Sequence, residues 1–119
     1  MKIRKNFEDT EFVCGCGCGV QKMDDDFLDN LQELRTKCGF GFKINSGWRC
    51  NEHNTKVSKN SMGDHPRGYA VDIHCPDRYK RAKILYFALV SKRFKDIAIS
   101  KTFIHIGKGK KEQGIGIYG

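Results

Sequence analysis

Long apolar runs are missing from this sequence, and so is a secretory leader. No stretch approaches the roughly 18 apolar residues that a membrane-spanning helix needs, so we expect no membrane insertion. The opening residues, MKIRKNFEDTEF, carry charges but no apolar core of about seven residues, which excludes a signal peptide there. We therefore expect synthesis in the cytoplasm without a signal peptide, and release by another factor if the protein acts outside the cell.

Proline is scarce, and repeats and low-complexity segments are absent. The two prolines, Pro66 and Pro76, fall in one central region, so no proline-rich linker divides the chain. A length of 119 residues allows one modest hydrophobic core and is too short for two. We expect a single domain over residues 1–119, and a monomer.

Positive charge is in excess. Lysines and arginines number 22 against 14 acidic residues, for a formal net charge of +8, and they are spread from Lys2 to Lys111. Such a balance favours a polyanion or an acidic surface as partner. The segments SKRFKD and GKGKKEQGIGIYG are typical of solvated basic faces, and no RNA- or DNA-binding signature accompanies them. We expect no specific nucleic-acid partner.

Six cysteines are present, without the C-x-x-C spacing of common zinc modules. Because no secretory leader is found, thiols or metal ligands are favoured over a disulfide framework. In the segment CGCGCG the glycines let the thiolates of Cys14, Cys16 and Cys18 converge on a structural zinc, with Cys38 or Cys50 as a fourth ligand. The alternative is buried free thiols, or a local disulfide formed in an oxidising space.

Two segments have the periodicity of amphipathic helices. The first, MDDDFLDNLQELRTKCG, begins with aspartates at the positive end of the helix dipole and ends at Gly39. The second, DRYKRAKILYFALVSKRF, turns its lysines outward. The inward-facing residues are Phe27, Leu28, Leu31 and Leu34 in the first helix and Ala82, Leu85 and Leu89 in the second.

Strands are predicted from alternation and β-branched content. FKIN leads into a loop that carries Trp48 and Arg49, GYAVDIHC is a second strand, and DIAISKTFIHI forms two strands around a turn at 100–102. The polar segment CNEHNTKVSKNS is a short helix or a loop. The order of helix, strand, loop, strand, helix and hairpin predicts a small α+β domain, with an antiparallel sheet and flanking helices.

An aspartate stands in the middle of an apolar strand. Alternation places Asp72 and His74 on one face, and Val71 and Ile73 on the other. A carboxylate that is buried without a cation or a donor costs several kcal/mol. Asp72 therefore needs a partner, and a divalent metal and Arg49 are the two candidates.

A zinc site can be assembled from this aspartate and two histidines. Catalytic zinc usually takes three protein ligands and leaves a fourth position open. His65, Asp72 and His105 supply such a set from a turn, a strand and a separate strand. The alternative, which spacing alone favours, is a loop histidine, a turn-capping aspartate and a buried histidine with ordinary partners.

Several motifs together resemble a known family. SGWRC followed by HN, then KNS, HPRGYAVDI and FIHI, are similar to the zinc D-Ala-D-Ala carboxypeptidase and murein endopeptidase family. The hedgehog signalling domain and the vancomycin-resistance dipeptidase share that fold. FEDTEFVCGCGCG and FLDNLQELR resemble small, often phage-encoded members, so the resemblance covers nearly the whole chain. It implies a zinc metallopeptidase that hydrolyses amide bonds in peptidoglycan stem peptides, for example a phage lysis enzyme.

The resemblance also implies roles for individual residues. The family pattern S-x-H-x-x-G-x-A-x-D and a later strand histidine supply three zinc ligands, which correspond here to His65, Asp72 and His105. The arginine of the S-G-[YW]-R loop corresponds to Arg49, whose planar fork suits a substrate carboxylate or a developing oxyanion. The alternative role for Arg49 is a salt bridge to a buried acid.

The chain departs from the family pattern where a general base is expected. The serine that normally precedes the first histidine by two positions is displaced to Ser61, four before His65. Related small enzymes carry an aspartate two positions after the third histidine, where this chain has Gly107, and the bases of other branches are also missing. An alternative function is therefore a catalytically impaired zinc-binding module of the same fold that binds the cell wall.

Three residues are candidate substitutes for that base. If the last hairpin turns at residues 101–102, Asp96 lies on the same face as His105 and near the proposed metal. His74 lies on the face of the proposed ligands, and Asp64 adjoins the first of them. We rank Asp96 first and His74 second. The alternative for Asp96 is a solvated hairpin end.

Overall fold

The computed structural model describes residues 2–15, 17, 19–50, 67–110 and 112–117. In these ranges a short hairpin and a 3-10 helix, Asp9–Phe12, precede a sheet that is covered on one face by two α-helices. No helix within them has the length and hydropathy to cross a membrane. The helices are α1 (Asp25–Cys38) and α2 (Arg78–Ser91); the strands are β1 (Lys2–Arg4), β2 (Phe7–Glu8), β3 (Lys43–Ser46), β4 (Ala70–His74), β5 (Asp96–Ile99), β6 (Phe103–Gly107) and β7 (Gly114–Ile117).

Helix α1 begins and ends where its sequence signals predict. The Asp24 carboxylate accepts a 2.9 Å hydrogen bond from the backbone N–H of Phe27, which caps the first turn. Gly39 ends the helix with a φ of 78°, a left-handed conformation that glycine adopts at low cost. The predicted buried stripe is confirmed. Its members are Phe27, Leu28, Leu31 and Leu34, and Cys38 is buried beside them.

Helix α2 is present as predicted, but its inward face is different. The fully buried positions are Ile84 and Ala88, and Leu85 and Leu89 are partly buried against the core. Ala82, which was predicted to face inward, is exposed. That prediction was wrong because a residue two positions before Ile84 lies about 200° around the helix from it.

The five-stranded sheet has the order β3-β4-β6-β5-β7. Its first three pairings are antiparallel, as predicted. Strand β7 pairs with β5 in parallel and was not predicted, because glycines alternate with isoleucines in GIGI and weaken the strand signal. The interpretation of the C-terminal segment as a solvated face agrees with the exposure of residues 114–117.

The core lies between the helices and one face of the sheet. Phe27 of α1 meets Phe94 edge to face, with ring centroids 5.8 Å apart. The opposite face of the central strands carries Asp72, Asp96 and His105, so strand alternation separates the polar site from the core. The strand residues that point into the core are Val71, Ile73, Ile97, Ile104 and Ile106, each at most 1 % exposed.

Candidate metal centre

Asp72 and His105 lie directly opposite each other on β4 and β6. The Nδ1 atom of His105 is 2.9 Å from Oδ1 of Asp72. Asp72 is 7 % exposed and His105 is 5 % exposed. Antiparallel pairing thus brings together two of the three predicted zinc ligands, although 33 positions separate them in the sequence.

The second ring nitrogen of His105 faces another carboxylate. Ala98 is the β5 partner of His105, and Asp96, two residues earlier, points to the same side. Its Oδ2 is 3.2 Å from Nε2 of His105, and its side chain is 54 % exposed. The predicted hairpin register is confirmed, and His105 lies between one buried and one open carboxylate.

Arg49 forms an ion pair with the other oxygen of Asp72. Its Nη2 is 3.2 Å from Oδ2 of Asp72, and its Nε donates to Oγ of Ser46 at 3.1 Å. The salt bridge to a buried acid, one of the two roles predicted for Arg49, is therefore present. Ser46 was not predicted at the site, although a serine at the end of the strand before the arginine loop is a signal that could have identified it.

The loop that carries Arg49 is held by the N-terminal segment. The backbone N–H of Trp48 donates to the carbonyl of Phe12 at 3.0 Å. A Cβ atom at Gly47 would lie 2.7 Å from the Cα of Phe12, so a larger residue forces the two segments apart. The sequence did not predict this contact, since nothing local in either segment identifies its partner.

Gly68, between His65 and Asp72, has a structural reason to be glycine. Its φ is 77°, and a Cβ atom there would overlap the carbonyl oxygen of Lys22. Its own carbonyl accepts a 3.0 Å hydrogen bond from the N–H of Asp24. The glycine of the metal-site motif therefore fixes the start of β4 against the segment that leads into α1.

The two carboxylates control the charge of His105. Burial alone lowers the pKa of an imidazole, because it disfavours the charged form. Hydrogen bonds to Asp72 and Asp96, together with their negative charges, outweigh that effect and raise the pKa of His105 from 6.5 to about 9. In the metal-free protein His105 is thus a cation at neutral pH, and it balances the buried charge of Asp72 together with Arg49.

The donors at this point suit zinc. A carboxylate oxygen and an imidazole nitrogen 2.9 Å apart are zinc-ligand types once the imidazole is neutral. Within the described residues, no three side chains of His, Cys, Asp or Glu form a group that could hold a metal. His65, the predicted third ligand, and Asp64 lie outside those residues. The pair of Asp72 and His105 is the described part of the predicted set.

His74 lies two residues along β4 from Asp72, about 6.6 Å away along the strand. It pairs with Phe103 on β6 and with Lys43 on β3. Together with Asp77, it lines a cavity of about 250 Å³. Of the two described candidates for a base, Asp96 is therefore the one in contact with His105.

Two cysteines face each other beside the arginine loop. The Sγ atoms of Cys14 and Cys50 are 3.7 Å apart, and the N–H of Cys50 points at the Cys14 sulfur from 3.4 Å. Burial raises the pKa of the other predicted fourth ligand, Cys38, to about 11, which disfavours a thiolate there. Cys16 and Cys18 lie outside the described residues.

A buried carboxylate beside an imidazole, with a second carboxylate open to solvent on the same face, is a site suited to a metal-dependent hydrolase. The sequence model of the peptidase M15 family matches residues 5–107. The chain therefore belongs to the peptidase M15 family, whose members are zinc-dependent, and the resemblance seen in the motifs is confirmed. The match ends at the last residue of β6 and leaves β7 outside it. The chain matches no curated protein sequence.

Proposed function

We propose that this protein is a zinc-dependent peptidase that hydrolyses amide bonds in peptidoglycan stem peptides. The observation that carries the proposal is the contact of buried Asp72 with His105 on the neighbouring strand. Membership of the peptidase M15 family supports it. We further propose that the protein acts as a monomer on the cell wall, in a role such as lysis by a phage.

His65, Asp72 and His105 would hold the zinc ion. Bound zinc supplies a Lewis acid that polarises the amide carbonyl and lowers the pKa of a water ligand towards about 7. For His105 to coordinate through Nδ1, its remaining proton must lie on Nε2, and this N–H then donates a hydrogen bond to the Asp96 carboxylate. Such a carboxylate behind a histidine ligand fixes the tautomer and the orientation of the ring.

Asp96 is the proposed general base. Its carboxylate is half exposed on the same face as His105, and it would accept a proton from the attacking water after turning from Nε2 of His105 towards the metal side of the ring. Its contact with Nε2 of His105 also supports a positioning role. The variant Asp96→Asn separates the two, because loss of a base lowers kcat at unchanged zinc affinity, whereas loss of a positioning contact lowers zinc affinity.

Arg49 is the proposed binding group for a substrate carboxylate. Its contacts with Ser46 and Asp72 engage two of the five N–H donors of the guanidinium. The same contacts hold the side chain next to the proposed ligands, where its remaining donors would meet a substrate carboxylate. An Arg49→Lys variant keeps the charge but loses the planar fork, and it should raise KM more than it lowers kcat.

Digestion of purified muropeptides, followed by mass spectrometry, tests the proposal. Wild-type protein should lose hydrolysis on chelation and regain it with zinc, and His65→Ala and Asp72→Asn should be inactive. Asp25→Asn, an exposed change on α1, is the matched control and should be fully active. The masses of the products distinguish a carboxypeptidase from an endopeptidase. Intact hydrolysis by His65→Ala would contradict the proposal.

A catalytically impaired module that binds zinc and the cell wall is the second candidate function. It is supported by Gly107, which replaces the aspartate of related enzymes and is buried in β6 between Ala70 and Asp96. This candidate predicts about one bound zinc and retention on the cell wall, with no turnover of purified muropeptides. Turnover that requires zinc would exclude it.

We also propose a structural zinc at Cys14, Cys16 and Cys18, with Cys50 as a further ligand. Two thiolates at about 2.3 Å from a tetrahedral zinc lie about 3.8 Å apart, close to the 3.7 Å between Cys14 and Cys50. The proposal predicts that Cys50→Ser lowers the zinc content while Cys38→Ser does not. An unchanged zinc content in Cys50→Ser would instead favour thiols or a disulfide.

A further inference from the structure

We propose that a basic cleft at one end of the sheet binds a phosphodiester polymer of the cell wall, of the poly(glycerol phosphate) type. The cleft has a volume of about 330 Å³. It lies between the start of α1, the segment that follows α2 and the loop after β6. The five cations that line it are Lys92, Arg93, Lys95, Lys108 and Lys110. The choice of a cell-wall polymer as the partner rests on the proposed function. The binding of a phosphodiester chain in the cleft does not depend on that function.

The cleft lies on the helix side of the sheet, away from the candidate metal centre. Its walls include Phe27 of the core, and none of Asp72, Asp96 and His105 lines it. Lys95 directly precedes Asp96, but alternation along the chain turns neighbouring side chains to opposite faces. A polymer in the cleft therefore leaves the peptide site open.

Backbone contacts hold together the two basic loops that line the cleft, residues 92–95 after α2 and residues 108–110 after β6. The N–H of Lys95 donates to the carbonyl of Lys108 at 3.1 Å, and the N–H of Gly114 donates to the carbonyl of Lys95 at 2.9 Å. Gly109 has a φ of 68°, and a Cβ atom there would lie 2.8 Å from the Cβ of Lys95. Because the two loops are packed this closely, the lysines are brought to one cleft before any ligand binds, which lowers the entropy cost of binding.

The balance of charge in the cleft favours an anion. Two carboxylates, Asp24 and Asp26, also line it, but Asp24 already accepts the N–H that caps α1. Arg93 is bound to Glu33 at 2.5 Å, so the lysines supply most of the positive charge. Lysine is a compact point charge that suits single phosphates spaced along a flexible chain.

The rings near the cleft favour a wall polymer over a nucleic acid. Phe27 is only 3 % exposed, and the Lys108 ammonium lies over the Tyr69 ring at 4.5 Å from its centroid. Single-stranded nucleic acids bind largely by stacking bases on accessible rings, whereas Phe27 is buried and Tyr69 is partly buried, with the Lys108 ammonium over its ring. Lys108 and Lys110 follow the family match, which ends at residue 107, so the match does not include these two lysines of the cleft.

Titration calorimetry with purified poly(glycerol phosphate) tests this proposal without any peptidase assay. The cleft variant carries Lys92→Gln, Lys108→Gln and Lys110→Gln, and the matched control carries Lys2→Gln, Lys5→Gln and Lys83→Gln, three exposed lysines elsewhere. Both lose the same charge. The cleft variant should bind at least about tenfold more weakly, and the slope of log affinity against log salt should fall by about 2, at roughly 0.7 for each lost contact. The control should match wild type.

Equal losses in both variants would overturn the proposal, because net charge alone would then explain binding. Tighter binding of wild type to single- or double-stranded DNA than to the polymer would also overturn it, in favour of a nucleic acid. Thermal unfolding of the two variants checks that both are folded. Hydrolysis of small soluble muropeptides should be the same in wild type and the cleft variant. If wild type hydrolyses none of them, the proposed function fails while the calorimetric result stands.

Discussion

The imidazole of His105 lies between two carboxylates, 2.9 Å from Asp72 at Nδ1 and 3.2 Å from Asp96 at Nε2. Arg49 contacts the other oxygen of Asp72. In the metal-free site, positive and negative side chains therefore alternate in the order Arg49, Asp72, His105 and Asp96. Because a zinc ligand must be a neutral imidazole, a metal ion and a proton compete for His105. The first two predictions follow from this competition.

The stability of the metal-free protein should fall as His105 loses its proton. The pKa of His105 is raised to about 9 in the folded state, against an ordinary value of 6.5. For a group whose folded pKa is raised, the stabilising contribution is complete below the unfolded pKa and is lost as pH rises through the folded pKa. Urea unfolding in a chelator should therefore show a decline from pH 6.5 to about pH 9.

The variant His105→Gln is the control for that decline, because it removes the titrating group and keeps a polar side chain. The difference in free energy of unfolding between wild type and His105→Gln should shrink across this window. A constant difference from pH 6.5 to 9 would show that His105 does not titrate there.

Zinc binding should release a proton from His105 at neutral pH. Calorimetry of zinc binding in buffers with different ionisation enthalpies measures the number of protons released for each zinc ion bound. Asp96→Asn removes one of the two carboxylates that raise the pKa of His105, so the release attributable to this residue should decrease. The Asp25→Asn control should behave as wild type, and equal proton release in both variants would contradict the account.

Replacing Gly68 should disrupt the start of β4 and, with it, the site. Gly68 and Gly39 both have positive φ, but a Cβ atom overlaps the backbone only at Gly68 and meets nothing within 4 Å at Gly39. Gly39→Ala should cost about 1 kcal/mol from backbone strain alone. Gly68→Ala should cost about 3 kcal/mol or more, because strain and overlap add. Equal effects in urea unfolding would rule out the steric contribution.

Replacing Gly47 should weaken substrate binding through Arg49. A Cβ atom at Gly47 lies 2.7 Å from the Cα of Phe12, so the arginine loop must shift away from the N-terminal segment. Gly41→Ala, where a Cβ atom meets nothing within 4 Å, is the control. Kinetics on muropeptides should show a higher KM in Gly47→Ala at a similar zinc content, and unchanged KM would mean that the loop contact does not position Arg49.

The parts of the fold that were predicted correctly depend on local signals. Asp24 and Gly39 bound a helix because a capping carboxylate and a left-handed glycine act over a few residues. The contact of Asp96 with His105 could be predicted because a short hairpin fixes its register once the turn is located. The pairing of Asp72 with His105 needed the family resemblance, since spacing alone does not identify which distant strands pair.

The parts that were missed depend on tertiary contacts. Strand β7 is stabilised by pairing with β5 and not by the propensity of GIGI. The packing of Gly47 on Phe12 and the contact of Cys14 with Cys50 join segments that carry no local mark of each other. Ala82 was placed inward because alanine suits either side of a helix, so its type does not determine its direction.

The most direct test of the central claim is the zinc content and muropeptide hydrolysis of Asp72→Asn, measured beside wild type and Asp25→Asn. If Asp72 and His105 hold a catalytic zinc, Asp72→Asn should lose about one zinc per chain and all zinc-dependent hydrolysis, while Asp25→Asn keeps both. Wild-type zinc content together with wild-type hydrolysis in Asp72→Asn would contradict the account.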